Sequence, residues 1–166
     1  MVEHWSPIPY FPGYSVSDHG RIRSDKSERI IRQSENQYGL VQVGMMQDGE
    51  QKHRSVPRLV IHAFKEPHRY EAFDTPINLD GDRHNNHVDN LEWRPRWFAV
   101  KYNRQFIIPY HHPIDFPIED IRTGEVTDNS LECCKRYGLL EEDLVLSILN
   151  RTYVWPTYQE FRILEE

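Results

Sequence analysis

The sequence has only two cysteines, Cys133 and Cys134, and they are neighbours. Adjacent cysteines make poor disulfide partners and supply too few ligands for a structural zinc site. A disulfide-stapled scaffold and a zinc fold are excluded on that ground, and a reducing compartment is expected. No stretch approaches the ~18 consecutive apolar residues of a membrane helix. The opening MVEHWSPIPYFPGY lacks the charged-then-apolar layout of a secretion signal. An excess of positive charge is missing too. The chain carries 20 Lys and Arg against 26 Asp and Glu, for a net charge of −6 and a pI of about 5.8. Nucleic-acid-binding domains are typically basic, with a pI above about 9.

What is present fits a soluble globular chain. At 166 residues, 38% hydrophobic and 28% charged, it is long enough for one modest domain or two to three small modules. The charge is uneven along it. Residues 1–65 balance at +2, residues 66–110 at −1 and residues 111–166 at −7.

Pro7, Pro9 and Pro12 forbid a helix near the start. Tyr14, Val16 and Ile22 alternate with polar residues around Ser17-Asp18-His19-Gly20, which predicts a hairpin. Arg21 and Arg23 then project from one face of the second strand. Short strands are expected at Ile30–Gln33 and Leu40–Met46, with a turn at Gln47-Asp48-Gly49-Glu50. A helix is expected at Pro57–Phe64, with proline in its first turn and Leu59, Val60 and Ala63 as its apolar stripe. Residues 65–76 read as a loop, and Ile77 to Asp82 as a strand end entering a tight turn. A helix is expected from near Pro95 through Asn103, with Trp97 and Val100 on one face.

Residues 107–118 are proline-rich and read as a linker. Beyond them come a turn at Thr123-Gly124-Glu125 and a helix Leu131–Tyr137 capped by Ser130 and stopped by Gly138. A second helix at Glu141–Asn150 and a strand at Tyr153–Ile163 follow. Two short helices joined by a Gly-containing turn make a helix-turn-helix layout.

The motif W-x-x-I…G-Y-x-V-S-x-x-G-R-I-R-S, Trp5 to Ser24, is similar to a modular DNA-binding segment found upstream of certain nucleases. The run from Arg58-Leu59-Val60 through Ile77-Asn78-Leu79-Asp80-Gly81 to Asn85–Trp93 resembles an HNH nuclease core. Together they make the chain resemble a phage-type HNH homing endonuclease. The resemblance implies an α+β chain of small modules: an N-terminal β-rich DNA-binding unit (1–55), a ββα-metal core (56–106), the linker (107–118) and a helix-turn-helix unit (119–166). It also implies double-stranded DNA as partner, a bacteriophage source and a bacterial host cytoplasm.

The family cuts phosphodiesters with a general-base histidine and a divalent ion on the scissile phosphate. That histidine stands in the pattern N-H-x-D-G. This chain has Asn78-Leu79-Asp80-Gly81, one residue shorter, with Leu79 or a gap at the base position. The family's second metal ligand falls at Ala99, and a histidine often found before the R-L-V segment falls at Pro57. Asn90 survives in register, in a role that braces the ribbon loop.

A degenerate HNH protein that binds DNA or a host protein is therefore expected, with no cofactor and no catalytic residue. One alternative is an active Mg²⁺- or Mn²⁺-dependent nicking endonuclease. It would use Asn78, Asp80, His84 and Asn90, with Asp80 and Asn90 on the metal and His87, Asp82 and Asp89 nearby. Another is an acidic inhibitor of a host enzyme. The candidate phosphate contacts are Arg21, Arg23, Arg58, Arg94, Arg96 and Arg104. Trp93 and Trp97 read as core rather than base-stacking, and Cys133 and Cys134 as buried structural thiols. The acidic turn Glu141-Glu142-Asp143 suits a helix N-terminus but repels phosphate, so the C-terminal module is expected to face a protein.

Overall fold

The computed structural model describes residues 2–164. Packing divides them into two compact units, one from Met1–Asn78 and Asp82–Arg96, the other from Leu79–Gly81 and Trp97–Glu166. The 56–106 segment read as one nuclease core is therefore shared between the two.

In the first unit, β1 (Trp5–Pro7), β2 (Tyr14–Ser17) and β3 (Ile22–Ser24) form an antiparallel sheet in that order. The expected hairpin is present, with Gly20 N–H donating to the Ser17 carbonyl at 3.0 Å and Val16 paired with Ile22. A second antiparallel sheet holds β4 (Gln33–Glu35), β5 (Val41–Gln47) and β6 (Glu50–Ser55). Asp48 and Gly49 both take positive φ, the two-residue turn that Asp-Gly favours in hairpins. The strand expected at Ile30–Gln33 begins only at Gln33. Ile30 bridges to Arg23 instead, and Ile31 N–H donates to the Ile22 carbonyl at 2.8 Å. That segment extends the first sheet before the chain turns into the second.

Helix α1 (Val56–Phe64) has Pro57 in its first turn and buries Val56, Val60 and Ile61. The loop expected over 65–76 ends at Thr75, because β7 (Thr75–Asn78) pairs with β8 (Leu91–Arg94) in a two-stranded ribbon. A single 3-10 turn, Val88–Asn90, leads into β8. One core joins all of this: Val16 and Ile22 from the first sheet, Val43 and Met45 from the second, Ile61 from α1, and Leu91 and Trp93 from β8. The N-terminal motif and the ribbon therefore share one core.

Helix α2 (Arg96–Gln105) buries Phe98, Ala99 and Tyr102. The face expected to be apolar, Trp97 and Val100, is instead outward, with Trp97 54% exposed. Phe98 and Tyr102, four apart, occupy the inner stripe and displace it.

In the second unit β9 (Ile118–Asp120) lies between β10 (Val126–Thr127) and β11 (Phe161–Ile163). The strand expected over Tyr153–Ile163 shrinks to its last three residues, because a tight turn closed by a Val154–Gln159 bridge precedes them. Helices α3 (Ser130–Tyr137) and α4 (Glu141–Asn150) are joined by Gly138, Leu139 and Leu140. The cap of α3 is Asn129, whose Oδ1 accepts from Glu132 N–H at 2.9 Å. Ser130, expected there, is buried one position further on. Its hydroxyl donates to Glu141 Oε1 at 2.5 Å and accepts from Ile114 N–H at 2.9 Å.

The stretch read as a linker is thus tied down, with Ile114 and Ile118 in the second core beside Cys133, Cys134, Leu139 and Leu144. Burial pushes the Cys133 thiol up to about 12 and the Cys134 thiol well above its ordinary value. Replacing Ser130 with alanine strands a buried carboxylate and a buried N–H, at a cost of about 1–3 kcal/mol. Urea denaturation should show that loss in the transition of the second unit.

Candidate functional site

The loop between β7 and β8 is built by amides. Asn78 Nδ2 donates to the Asn85 carbonyl at 2.9 Å and to Asn86 Oδ1 at 3.0 Å. Asn90 Nδ2 donates to the same Asn85 carbonyl at 2.8 Å, and Asn86 Nδ2 to the Arg83 carbonyl at 3.1 Å. A loop leaving a two-stranded ribbon has no ladder partners, and here side-chain amides donate to its carbonyls. The resemblance assigned Asn90 the bracing role, and its geometry has that form. The N-terminal hairpin turn seats on this loop. Val88 N–H donates to the Asp18 carbonyl at 2.8 Å, the His19 and His87 rings lie 4.7 Å apart, and Gly20 lies against Asn86.

The residues considered for catalysis are only partly gathered. Asn78 and Asn90 meet at the Asn85 carbonyl. His84 Nε2 lies 2.9 Å from Glu35 Oε1 on β4, and Asp82 Oδ1 accepts from His84 N–H at 2.9 Å. Asp80 belongs to the short Leu79–Gly81 segment that packs with the second unit. In that unit the Leu79 carbonyl accepts from Tyr102 Oη at 2.6 Å, so the backbone at Leu79 is anchored.

An HNH fold implies a divalent ion. Asn78 and Asn90 spend their amide nitrogens on the Asn85 carbonyl. Ala99 has no donor atom and is buried on α2. Among the described residues no group of three or more His, Cys, Asp or Glu is placed to hold a metal.

The six arginines differ in environment. Arg21 and Arg23 leave β3 on the same side, with their guanidinium carbons 5.8 and 4.5 Å from the centre of the Trp5 ring. Arg21 pairs through Nε and Nη2 with Glu3, and those hydrogen bonds bring the Glu3 carboxyl down to about 2. Arg23 Nε lies 3.8 Å from Asp25 Oδ1. Arg58 is exposed on α1 beside His62, whose pKa is lowered by burial and further by the Arg58 charge. Arg96 and Arg104 are exposed at opposite ends of α2, about 12 Å apart along the helix. Arg94 is the exception. It is 5% exposed and donates to the Trp93 carbonyl at 2.8 Å, so it is a core residue and not a phosphate contact.

One surface was not anticipated. The register of β4, β5 and β6 pairs Ser34 with Gln42, Gln42 with Ser55, Gly44 with His53, and Met46 with Gln51. These positions lie opposite the buried Val41, Val43 and Met45, so they share the outer face. The Gln51 amide lies across Gly44, where an added Cβ would fall 2.5 Å from Nε2. The outer face thus carries amides, hydroxyls and an imidazole, with Met46 exposed among them. Its signal in the sequence is the strict alternation of Val41-Gln42-Val43-Gly44-Met45, which marks the strand and, by the same period of two, its outward side.

A family model for the NUMOD4 motif matches residues 3–45. Two uncharacterized HNH endonucleases of Acanthamoeba polyphaga mimivirus are 31% and 30% identical to the chain over 94 residues. Those matches cover 56% and 55% of this chain but only 27% and 23% of the relatives, so the chain spans about a quarter of their length. The solved HNH homing endonuclease I-HmuI, described as binding and cleaving DNA, superposes with a TM-score of 0.52 at 21% identity. That superposition covers 98% of this chain and 99% of the other. The α+β fold is that of an HNH homing endonuclease.

Proposed function

We propose that this HNH homing endonuclease-like chain is a duplex DNA-binding protein that does not cut phosphodiesters. The observation that carries the second half is Leu79. On the reading that it takes the base position, no imidazole is there; its carbonyl is held by Tyr102, and His84, a candidate substitute, is engaged by Glu35. General-base catalysis supplies on the order of 10²–10⁴-fold in rate, and leucine supplies none of it.

DNA binding is supported by the NUMOD4 match, the fold and the first unit's surface. A two-stranded antiparallel ribbon fits the major groove, and glutamine amides are suited to adenine edges. On this reading β5 and β6 present Gln42, Gln51 and His53 to bases. Arg23, Arg58 and the Lys26–Arg32 segment contact phosphates, which position the protein without reading sequence.

Two measurements test the two halves. With Mg²⁺ or Mn²⁺, supercoiled DNA carrying a randomised insert library stays un-nicked by the wild-type chain. Chelator-sensitive nicking that His84→Ala abolishes would establish an active enzyme instead. In gel shifts, duplex affinity falls steeply with salt, and Arg21→Ala/Arg23→Ala lowers the log–log salt slope by about 1 for each phosphate that is no longer neutralised. Glu3→Gln releases Arg21 from its intramolecular partner and tightens binding. Unchanged affinity in the double variant would move the phosphate contacts elsewhere.

A further inference from the structure

Helix α4 buries Glu141, Leu144, Val145 and Ser147, leaving Glu142, Asp143, Leu146, Leu149 and Asn150 outward. Leu146 is 46% exposed and Leu149 69%. Beside them runs a groove of about 340 Å³, formed by Asp143, Leu146 and Asn150 on the helix and Tyr153, Val154 and Trp155 on the following strap. Trp155 stacks on Trp97 with ring centres 5.3 Å apart and planes 19° off parallel. That stack continues the apolar surface onto α2, where Val100 is also exposed.

We propose that this face of α4, with its groove, docks a basic amphipathic helix of a partner protein. Leu146 and Leu149, three apart on α4, form an apolar ridge that Tyr153 flanks from the strap, a surface that a helix with apolar residues at i, i+3, i+4 and i+7 fits. Charge selects the partner's flanks. Both charged side chains on the outward face of α4 are acidic, and residues 111–166 carry 12 acidic against 5 basic side chains. The cations at its margins are Lys101, whose ammonium lies 5.7 Å from the Trp97 ring centre, and Arg151 at the end of the helix. Partial burial raises the Asp143 carboxyl, Lys101 opposes that and Glu142 adds to it, so an incoming cation would favour the carboxylate form. Duplex DNA is disfavoured on the same grounds, since a phosphate backbone would meet Glu142 and Asp143.

The test uses the full chain and two labelled synthetic peptides with leucine in the helical pattern, one with lysine at the remaining positions and one with glutamate. The lysine peptide binds one to one and shifts tryptophan emission, whereas the glutamate peptide does not bind. Leu146→Ser/Leu149→Ser weakens binding by about tenfold or more. Glu142→Gln/Asp143→Asn weakens it with a shallower salt dependence, while Asp115→Asn/Asp128→Asn, which removes equal charge elsewhere on the second unit, leaves it unchanged. Both leucines are exposed, so circular dichroism should show the variants folded.

Equal weakening by the two charge pairs, or binding of the glutamate peptide, would overturn the proposal in favour of non-specific attraction. A concentration-dependent dimer abolished by Leu146→Ser/Leu149→Ser would make a second copy the occupant and overturn it too. Loss of duplex binding in those variants, with Arg21→Ala/Arg23→Ala neutral, would make the face a DNA surface. The proposal does not rest on the lack of cleavage, and the nicking assay fails or succeeds independently of it.

Discussion

Gly20→Ala destabilises the first unit by about 2–5 kcal/mol, from a left-handed backbone penalty of about 1–2 and an overpacking cost of about 1–3. Gly20 has φ +82°, and an added Cβ would fall 2.9 Å from both Cβ and the carbonyl oxygen of Asn86. Asn86 cannot give way cheaply, because its side chain accepts from Asn78 and donates to Arg83. Gly49 has the same φ of +82° but nothing within 4 Å of the added carbon. Gly49→Ala therefore pays only the backbone part, about 1–2 kcal/mol. The difference between the two variants in chemical denaturation isolates the packing of hairpin turn on ribbon loop. Equal losses would mean that the turn does not seat on Asn86. Against a total of about 5–15 kcal/mol for a typical domain, the larger loss leaves little reserve.

Trp93→Ala removes the anchor of the first core. The indole is 3% exposed, its Nε1 donates to the Glu66 carbonyl at 3.2 Å, and its edge meets the His62 ring at 4.9 Å. Truncating it costs about 3–5 kcal/mol. The informative readout is where the loss is felt. Val16 and Ile22 share the Trp93 core although they lie about seventy residues earlier, so their amide protection falls together with that of Leu91. Trp93→Phe keeps one aromatic ring but loses the indole's second ring and a hydrogen bond, so it costs more than the ~1 kcal/mol of the hydrogen bond alone and less than the alanine variant. If Val16 and Ile22 stayed protected in the alanine variant, residues 1–55 would be an independent module after all.

That question marks the boundary of what the chain reveals by itself. The hairpin at Ser17–Gly20, the Asp48-Gly49 turn, α1, α3 and α4 were legible because each is written locally, in turn residues, caps and periodicity. Asn129 and Ser130 show the limit of such local signals. Both are good caps, and the choice fell to Asn129 because the Ser130 hydroxyl finds Glu141 and Ile114 across the second core. Trp97 and Arg94 were misplaced for a related reason. Helical spacing does not say which apolar stripe faces inward, and a lone arginine in a strand looks the same from sequence whether it points to solvent or bonds its neighbour's carbonyl. In the candidate site Asn90 was readable as a loop brace, through the family resemblance. The pairing of His84 with Glu35 was not, because it joins residues 49 positions apart in sequence on different sheets.

The paired cysteines of α3 give the molecule a built-in chemical clock. Both are fully buried, and the thiolate is the form that alkylating reagents attack. With both thiols held protonated, modification in the native state waits for the second unit to open. The first unit contains no cysteine at all. Labelling rates followed by intact mass therefore time the breathing of one half of the chain with no background from the other, and a ligand that docks on α4 would slow that clock without touching a sulfur.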